Sequence, residues 1–345
     1  MTKLLSSTFT ALLFFFSIIV QSQSFKTASE YLDFVGKEQE AVTKNMWKYT
    51  KAVAHSKSDR TIDAKRTVLV KSVEKAIDKI EKADGFDGDT YKNQVLNYMR
   101  LSESLLKLDY AKIIDLKEVA EQSYDLMEAY ILAQQMADKK MEEAYIEYDS
   151  HFKLFAANHH INIIENESDL VNKMKISNAV FKHYNALHLI HFKVSINEVY
   201  LWEAIEKQDV NAIQQNANAL SESAKEGLKI LKNIDLYKTD TSLVKATQEA
   251  FEFYIEEADN QIPKITEFLI MNEDFETIKT TLDKTPERKR TKEQIDTYNN
   301  KIKDINKAIN IYNKTNEGLN KDRQKAINNL NNAKENFLSK HIPND

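Results

Sequence analysis

The sequence contains no cysteine among its 345 residues. This absence excludes disulfide bonds, thiol nucleophiles and cysteine metal ligands, so the fold has to be held together by an apolar core. It also excludes the usual bacterial lipid anchor, because that lipid is attached to a cysteine that follows the signal peptide. We therefore expect a chain without a lipid anchor.

Glycine and proline are also scarce, with five and three residues in the whole chain. Both residues interrupt helices, so their scarcity favours long helices. Phosphate-binding loops and the sharp turn that presents a nucleophilic serine need closely spaced glycines, and no such motif is present. No residue stands out as catalytic, and we expect a protein that is not an enzyme.

Charge of one sign is not in excess either. The chain has 48 Lys and Arg against 53 Asp and Glu, a formal net charge of −5, and both signs are mixed along it. Nucleic-acid binding needs a clustered basic surface, so we expect no nucleic-acid partner. The one basic cluster, from Arg288 to Lys292, follows Pro286 and is typical of a solvent-exposed turn.

Only the N-terminus carries an uncharged apolar run of any length. Lys3 precedes the run from Ala11 to Ile19, and small residues around Ser22 follow, which is the pattern of a secretory signal peptide. We assign residues 1–24 to this peptide. The run is about half of the roughly twenty residues that a membrane-spanning helix needs. We expect an exported protein with no transmembrane span in the mature chain.

Apolar residues recur at spacings of three and four through the rest of the chain, and no segment alternates as a strand does. We predict an all-α fold of two tandem, elongated four-helix bundles, at residues 25–161 and 162–345. Thr27 and Glu30 form a capping box for the first helix, and Pro263 is expected to bend the seventh. The predicted helices cover about residues 27–57, 59–83, 89–112, 115–158, 168–207, 209–235, 240–283 and 291–340.

The two predicted bundles match in sequence, which indicates an internal duplication. A single offset places the apolar stripe of the second helix on that of the sixth, so that Ile62 coincides with Ile213. After one insertion in the second half, His159 coincides with His341. Any two amphipathic helices can be aligned in this way, and that is the alternative. The common order of all four helices favours duplication.

The last predicted helix carries a heptad repeat from Ile295 to Phe337, about 63 Å long at 1.5 Å per residue. Asn316 and Arg323 lie on its seam, where an apolar residue is expected. Polar residues at such positions more often fix the register of a bundle than bind a ligand, and an arginine can extend its charged head to solvent. We interpret both residues as structural.

The fifth predicted helix contains the densest group of potential metal ligands. His188, His191 and Glu198 share one helical face because they are three and seven residues apart. Two imidazoles and a carboxylate could bind a metal ion, but the Glu-x-x-His pattern of di-metal bundles is missing, since Asn185 stands three residues before His188. Histidines that only pack between helices are the alternative, and we predict no cofactor.

Two smaller groups of polar residues have structural explanations. Glu143, Glu147 and His151 follow one another at steps of four, as residues on exposed helices often do. His159 is repeated as His341 in the second half. We interpret this pair as structural residues at the bundle ends, because a catalytic residue would seldom be kept in both copies.

The segment from Lys182 to Leu228, together with Lys289–Thr291 and the pairs Tyr298–Asn299 and Tyr312–Asn313, resembles a family of surface proteins and lipoproteins of spirochaetes and Bacteroidetes-type bacteria. The resemblance covers about residues 165–342 well and the N-terminal half loosely. It implies a location in the periplasm or at the surface of a Gram-negative bacterium, and it offers no catalytic residue. The missing cysteine departs from the lipoprotein members, which argues against membrane tethering.

These observations favour an exported, non-enzymatic interaction or structural module with a macromolecular partner in the envelope or outside the cell. The alternative is a periplasmic protein that binds a metal or small ligand through His188, His191 and Glu198. A membrane-active helical protein is a third possibility. Proteins of that class insert a long uncharged hairpin, and the chain after residue 24 contains none.

Overall fold

We analysed a computed structural model, which describes residues 24–56, 58–109, 119–164 and 168–344. Within these ranges the chain is helical with short connections and contains no β-strand. The all-α prediction is therefore confirmed for the described part of the chain. The predicted signal peptide, residues 1–24, lies outside it except for Ser24.

The N-terminal half contains four helices that are described over their full length, and residues 119 and 120 are also helical. The third of these four helices passes into a single π-helical turn, Leu105–Asp109. In a π-turn each backbone hydrogen bond joins residues five positions apart, instead of four as in an α-helix. The helices are α1 (Ala28–His55), α2 (Asp59–Lys82), α3 (Thr90–Ser104) and α4 (Tyr124–Asn158).

The C-terminal half contains five α-helical segments within its described ranges. Its third helix consists of two segments, α7 and α8, which are joined by a second π-turn, Glu257–Gln261. The helices are α5 (Asp169–Glu206), α6 (Val210–Leu231), α7 (Ser242–Glu256), α8 (Ile262–Lys284) and α9 (Lys292–His341).

Side-chain caps explain where most of these helices begin. The hydroxyl of Ser58 accepts a hydrogen bond from the backbone N–H of Thr61 at the start of α2. The carboxylate of Asp209 accepts one from Ala212 at the start of α6. Thr291 begins α9 with a complete capping box. Each cap satisfies a backbone N–H that has no partner inside the helix.

The predicted boundaries differ most in the third and fourth helices. The third was expected to run to about residue 112, but regular α-helix ends at Ser104, where the π-turn begins. The fourth was expected from about residue 115, but α4 begins at Tyr124 after the capping residue Ser123. The residues in between, 110–118, are not described. A bend was predicted at Pro263, and the structure has the π-turn Glu257–Gln261 directly before the helical segment that contains this proline.

Each half has its own apolar core. The first core lies between α1, α2, α3 and α4, and the second between α5, α6, α7, α8 and α9. A small third cluster around Met127 and Ile131 joins the beginning of α4 to Leu189 and Phe192 of α5.

Helix α1 takes part in both cores. Tyr31 and Val35 in its first two turns belong to the first core. Trp47, near its C-terminal end, packs with the second core. At 1.5 Å per residue, this helix of 28 residues is about 42 Å long, which is enough to extend from one core to the other.

The two π-turns occupy corresponding positions in the two halves. Leu105–Asp109 and Glu257–Gln261 have the same length, and each follows the third α-helix of its half directly. When the two turns are aligned, the buried residues around them also coincide, as Met99 does with Phe251 and Leu106 with Ala258. Both turns pack against the second helix of their own half, α2 and α6.

The two halves also share an aromatic arrangement around His159 and His341. In the first half, the Phe86 ring lies 5.3 Å from that of His159, at an interplanar angle of 77°. In the second half, the Tyr237 ring lies 5.0 Å from that of His341, at 76°. A phenylalanine completes each cluster. Phe155 lies 4.4 Å from His159, and Phe337 lies 4.8 Å from His341.

Candidate functional site: a buried charge cluster

The interior of the second half contains two glutamates and one arginine that meet from three directions. Glu198 comes from α5, Glu257 is the first residue of the π-turn, and Arg323 comes from the heptad seam of α9. The side chain of Glu257 is 0% exposed, and those of Glu198 and Arg323 are 10% and 17% exposed. Charged side chains are rarely buried to this degree unless they are paired.

Arg323 connects the two carboxylates. Its Nε donates to Oε1 of Glu198 at 2.6 Å, and one of its terminal nitrogens donates to Oε1 of Glu257. The indole Nε1 of Trp202 donates to the same Glu257 oxygen at 3.1 Å. The guanidinium carbon lies 4.0 Å from the centre of the Trp202 ring, a cation–π contact. The expectation that Arg323 extends to solvent is wrong, because this pairing holds its head in the core.

The cluster has more negative than positive charge. Burial raises the pKa of Glu257 to about 7, and the nearby charge of Glu198 adds to this effect, while Arg323 opposes it. Oε2 of Glu257 has no hydrogen-bond partner. Burial and the two carboxylates raise the pKa of the neighbouring Tyr254 well above its usual value of 10. Glu257 can therefore take up a proton close to neutral pH inside a closed part of the protein.

The corresponding level of the first half is almost entirely apolar. With the π-turns aligned, Glu257 coincides with Leu105, which is buried. The alignment that pairs Ile62 with Ile213 places Trp47, also buried, at the position of Glu198. The alignment that pairs His159 with His341 places Met141 at the position of Arg323, and the Met141 sulfur accepts a hydrogen bond from Ser102 at 3.4 Å. The same helix arrangement therefore forms without the charges. Buried ion pairs are often neutral or unfavourable compared with apolar packing, so stability does not explain the cluster.

The structure does not gather His188, His191 and Glu198 into a set of metal ligands. Glu198 is bound to Arg323, whose positive charge would repel a cation. The His191 ring is stacked parallel to Phe251 at 6.2 Å, and the His188 ring lies parallel to Tyr184 at the same distance. No group of three or more His, Asp and Glu residues in the described ranges has the arrangement of a metal site.

Both histidines are partly buried, and their surroundings lower the pKa of each. Burial, together with the charge of Lys334 on α9, lowers the pKa of His188 to about 4. The pKa of His191 is well below its usual value for the same two reasons. Burial in turn lowers the pKa of Lys334 to about 8. Nδ1 of His188 has no hydrogen-bond partner.

The end of the second bundle contains another polar group, around Asp240. The carboxylate is 2.7 Å from both Nζ of Lys340 and Nε2 of His341, and it accepts a hydrogen bond from the backbone N–H of Ser242 at 2.8 Å. These bonds hold the pKa of Asp240 far below its usual range. The group fastens the end of α9 to the beginning of α7, which agrees with a structural role for His341.

The other polar residues singled out in the sequence lie apart from the charge cluster. His151 and Glu147 approach to 3.7 Å on the surface of α4, and Glu143 is paired with Lys139 there. His159 packs on Phe86 and Phe155 at the end of the first bundle. These residues therefore do not come together in one site.

Sequence reasoning missed Glu257 and gave Trp202 no role. A signal for Glu257 was present, because it continues the spacing of the buried residues Thr247, Phe251 and Tyr254 along one face of the helix. A charged residue in an apolar stripe marks a buried charge that needs a partner. The second signal was Arg323, which interrupts the apolar heptad of α9 with a positive charge that could pair with such a glutamate.

Comparisons with protein-family models, with curated proteins and with solved structures find no match to this chain. None of the helices in the described residues combines the length and apolarity needed to cross a membrane.

Proposed function

We propose that the protein is an exported, non-enzymatic interaction module of a bacterial envelope. We further propose that its two bundles arose by duplication of one four-helix unit. The function rests on one observation, an apolar stripe on the solvent side of α4. The export step rests on the predicted signal peptide at residues 1–24.

Four large apolar residues of α4 point away from its buried side. Leu132, Met136, Ile146 and Leu154 fall within about 80° of one another on a helical projection, and each is between 53% and 61% exposed. The stripe extends about 33 Å along the helix. A surface helix normally places polar residues there. Large exposed apolar residues aligned on one face favour contact with another macromolecule.

The chemistry of the stripe favours a helix or an apolar strip as its partner. Lys139 and Glu143 lie between the apolar residues and carry opposite charges, so the face has little net charge. Helix-on-helix contacts bury apolar residues that share one face of a helix, as these four do. A nucleic acid or another strongly charged polymer fits such a surface poorly.

The duplication is supported by features that helical periodicity alone does not require. A π-turn is rare in proteins, yet one follows the third α-helix in each half. The aromatic clusters at the bundle ends also agree closely. The Phe86 and Phe155 rings lie 6.4 Å apart at 76°, and the corresponding rings of Tyr237 and Phe337 lie 6.1 Å apart at 78°.

The test is a cross-linked pull-down with residues 25–345 from an envelope extract, with and without changes in the stripe. Met136→Glu combined with Ile146→Glu should remove the partner band, because two charges cannot be buried in an apolar contact. Val68→Glu combined with Ile311→Glu is the matched control, since both residues are exposed apolar side chains on other helices. Equal recovery with both double variants would rule out the stripe as the binding face.

Export has a separate test. The protein should be recovered from the envelope or periplasmic fraction with a new N-terminus close to residue 25. Recovery in the cytoplasm with Met1 intact would contradict the export proposal, and it would leave the binding experiment unaffected.

A further inference from the structure

A groove of about 490 Å³ lies between α6 and α8, directly beside the second π-turn. Its floor is apolar, with Ala217, Ala258 and Pro263 among the lining residues. Gln214 and Glu267 supply polar atoms at its sides. The volume is within the usual range for sites that hold a side chain or a small ligand.

The π-turn leaves a backbone acceptor without its helical donors at Ala258, one of the residues that line this groove. In an α-helix the carbonyl of Ala258 would accept from the N–H of Ile262, but that N–H donates to Glu257 instead. In a π-helix the donor would be residue 263, which is a proline and has no N–H. The Ala258 carbonyl therefore lacks both of its usual helical donors. A backbone carbonyl without a donor is a strong acceptor for an N–H group.

The first half fills the corresponding place with an arginine. Arg66 of α2 coincides with Ala217 of α6 in the alignment that pairs Ile62 with Ile213, and its NH1 donates to the carbonyl of Leu106 at 3.3 Å. Leu106 is the second residue of the first π-turn, as Ala258 is of the second. The NH2 of Arg66 pairs with Asp63, at 2.9 Å from the carboxylate. Alanine in place of this arginine opens the groove in the second half.

We propose that the groove binds a guanidinium group, supplied by an arginine side chain of a partner polypeptide. The planar group would occupy the place that Arg66 occupies in the first half and donate to the Ala258 carbonyl. Glu267 supplies the negative charge that Asp63 supplies to Arg66, and the oxygen of Gln214 offers a further acceptor. Arginine suits such a site because its planar group makes several hydrogen bonds in fixed directions.

This site lies on the second bundle and does not depend on the α4 stripe. The correspondence of the two π-turns rests on their positions in the structure, so the proposal also holds whatever the origin of the two halves. The proposed function can fail without affecting the groove, and the reverse is equally true.

The experiment is a titration of the whole chain, residues 25–345, labelled at alanine methyl groups and followed by NMR. The probe is N-acetyl-arginine amide, which mimics an arginine within a polypeptide. The methyl signals of Ala217 and Ala258 should shift in a saturable way. N-acetyl-citrulline amide has nearly the same shape without the charge and should bind at least about tenfold more weakly, the loss of about one charge-assisted hydrogen bond.

Two variants in the groove and one control variant sharpen the result. Ala217→Arg restores the residue of the first half, so it should fill the groove from within and abolish the shift of Ala258. Glu267→Gln leaves the apolar floor intact and should weaken binding about tenfold. Met136→Glu combined with Ile146→Glu should bind the probe as the unchanged protein does.

The complementary variant is Arg66→Ala in the first half. It should open a second groove, and the same probe should then raise the thermal midpoint of this variant more than that of the unchanged protein. The proposal is overturned if neither methyl signal shifts, if citrulline amide binds equally well, or if Glu267→Gln binds with unchanged affinity. Tighter binding of free arginine than of the capped probe would contradict a polypeptide as the source.

Discussion

Glu257 is the residue whose charge state is expected to change near neutral pH. The groups that face it are Glu198, Arg323, Trp202 and Tyr254. Its pKa is about 7 in the folded protein and 4.5 in its ordinary state, so the folded protein binds more protons between these values. Stability therefore falls as the pH rises from about 4.5 through about 7, and the contribution is complete below that window.

Replacing Glu257 by Gln should remove this dependence, because the amide keeps an acceptor oxygen and cannot ionise. Relative to the variant, the unchanged protein should lose stability between pH 5 and pH 8 by an amount on the order of 3 kcal/mol at most. Urea unfolding of both proteins at the two pH values measures the difference. A constant difference across this range would show that Glu257 does not titrate there.

The comparison with the variant is needed because His188 and His191 act in the opposite direction. Burial lowers the folded-state pKa of His188 from 6.5 to about 4. Its contribution to stability is therefore complete above pH 6.5 and is lost as the pH falls towards 4. The absolute stability of the protein combines both effects, whereas the difference between protein and variant isolates Glu257.

Arg323 is expected to matter for stability only while the two carboxylates are present. Arg323→Met alone should cost about 3 to 5 kcal/mol, because it leaves buried carboxylates without a partner. The triple variant Glu198→Met, Glu257→Leu and Arg323→Met replaces the cluster with apolar side chains, and the residues introduced at positions 257 and 323 match Leu105 and Met141 of the first half. It should be at least as stable as the unchanged protein in denaturant unfolding. A triple variant as unstable as the single one would show that the second half cannot accommodate an apolar layer.

At the scale of single helices, two kinds of glycine should respond to alanine in opposite ways. Gly227 of α6 lies against Phe251, and an added Cβ would come within 2.5 Å of that ring. Gly36 of α1 and Gly318 of α9 have no such neighbour within 4 Å. Alanine is the better helix former by about 1 kcal/mol, so only a clash can reverse the sign.

We therefore expect Gly36→Ala and Gly318→Ala to stabilise the protein by up to about 1 kcal/mol each. Gly227→Ala should destabilise it, because α6 and α7 have to move apart around Phe251. Thermal unfolding of the three single variants gives the comparison. Stabilisation by all three changes would mean that the contact between α6 and α7 is looser than the structure has it.

The helices could be predicted from the sequence wherever the signal is local. The starts of α2, α6 and α9 agree with the prediction within one residue, because Ser58, Asp209 and Thr291 cap their own helices. The end of α3 could not be found in this way. A π-turn changes the hydrogen-bond spacing without requiring a particular residue. The apolar spacing of residues 105–109 therefore predicts a continuous α-helix.

The charge cluster was less predictable than the helices because its members come from three separate elements. Glu198 was noticed for its spacing from two histidines on its own helix, but its partner is Arg323, 125 residues away in the chain. Periodicity identifies the face of a helix and does not identify which residue of another helix meets it. The predicted signal peptide, the duplication and the family resemblance remain predictions.

At the scale of the whole molecule, both tryptophans report on the second half. Trp47 packs with the second core although it belongs to α1, and Trp202 lies in the charge cluster. Because α1 passes through both cores, we expect the two halves to unfold together. Urea unfolding followed by tryptophan fluorescence and by far-ultraviolet circular dichroism should then give the same midpoint.

Trp47→Ala should separate the two transitions, since it removes the largest side chain by which α1 contacts the second core. The fluorescence of Trp202 would then follow the second half alone, while circular dichroism would follow both. Val68→Ala on the surface of α2 is the control, and it should leave the midpoints equal. Different midpoints in the unchanged protein would mean that the halves are independent despite Trp47.

The shared helix also determines how the molecule would respond to mechanical force. The chain passes from one half to the other between the end of α4 at Asn158 and the beginning of α5 at Asp169. Helix α1 is a second connection between the two halves. Tyr31 packs in the first core and Trp47 packs in the second. A pull or twist applied to one bundle is therefore passed to the other instead of being absorbed by rotation between them.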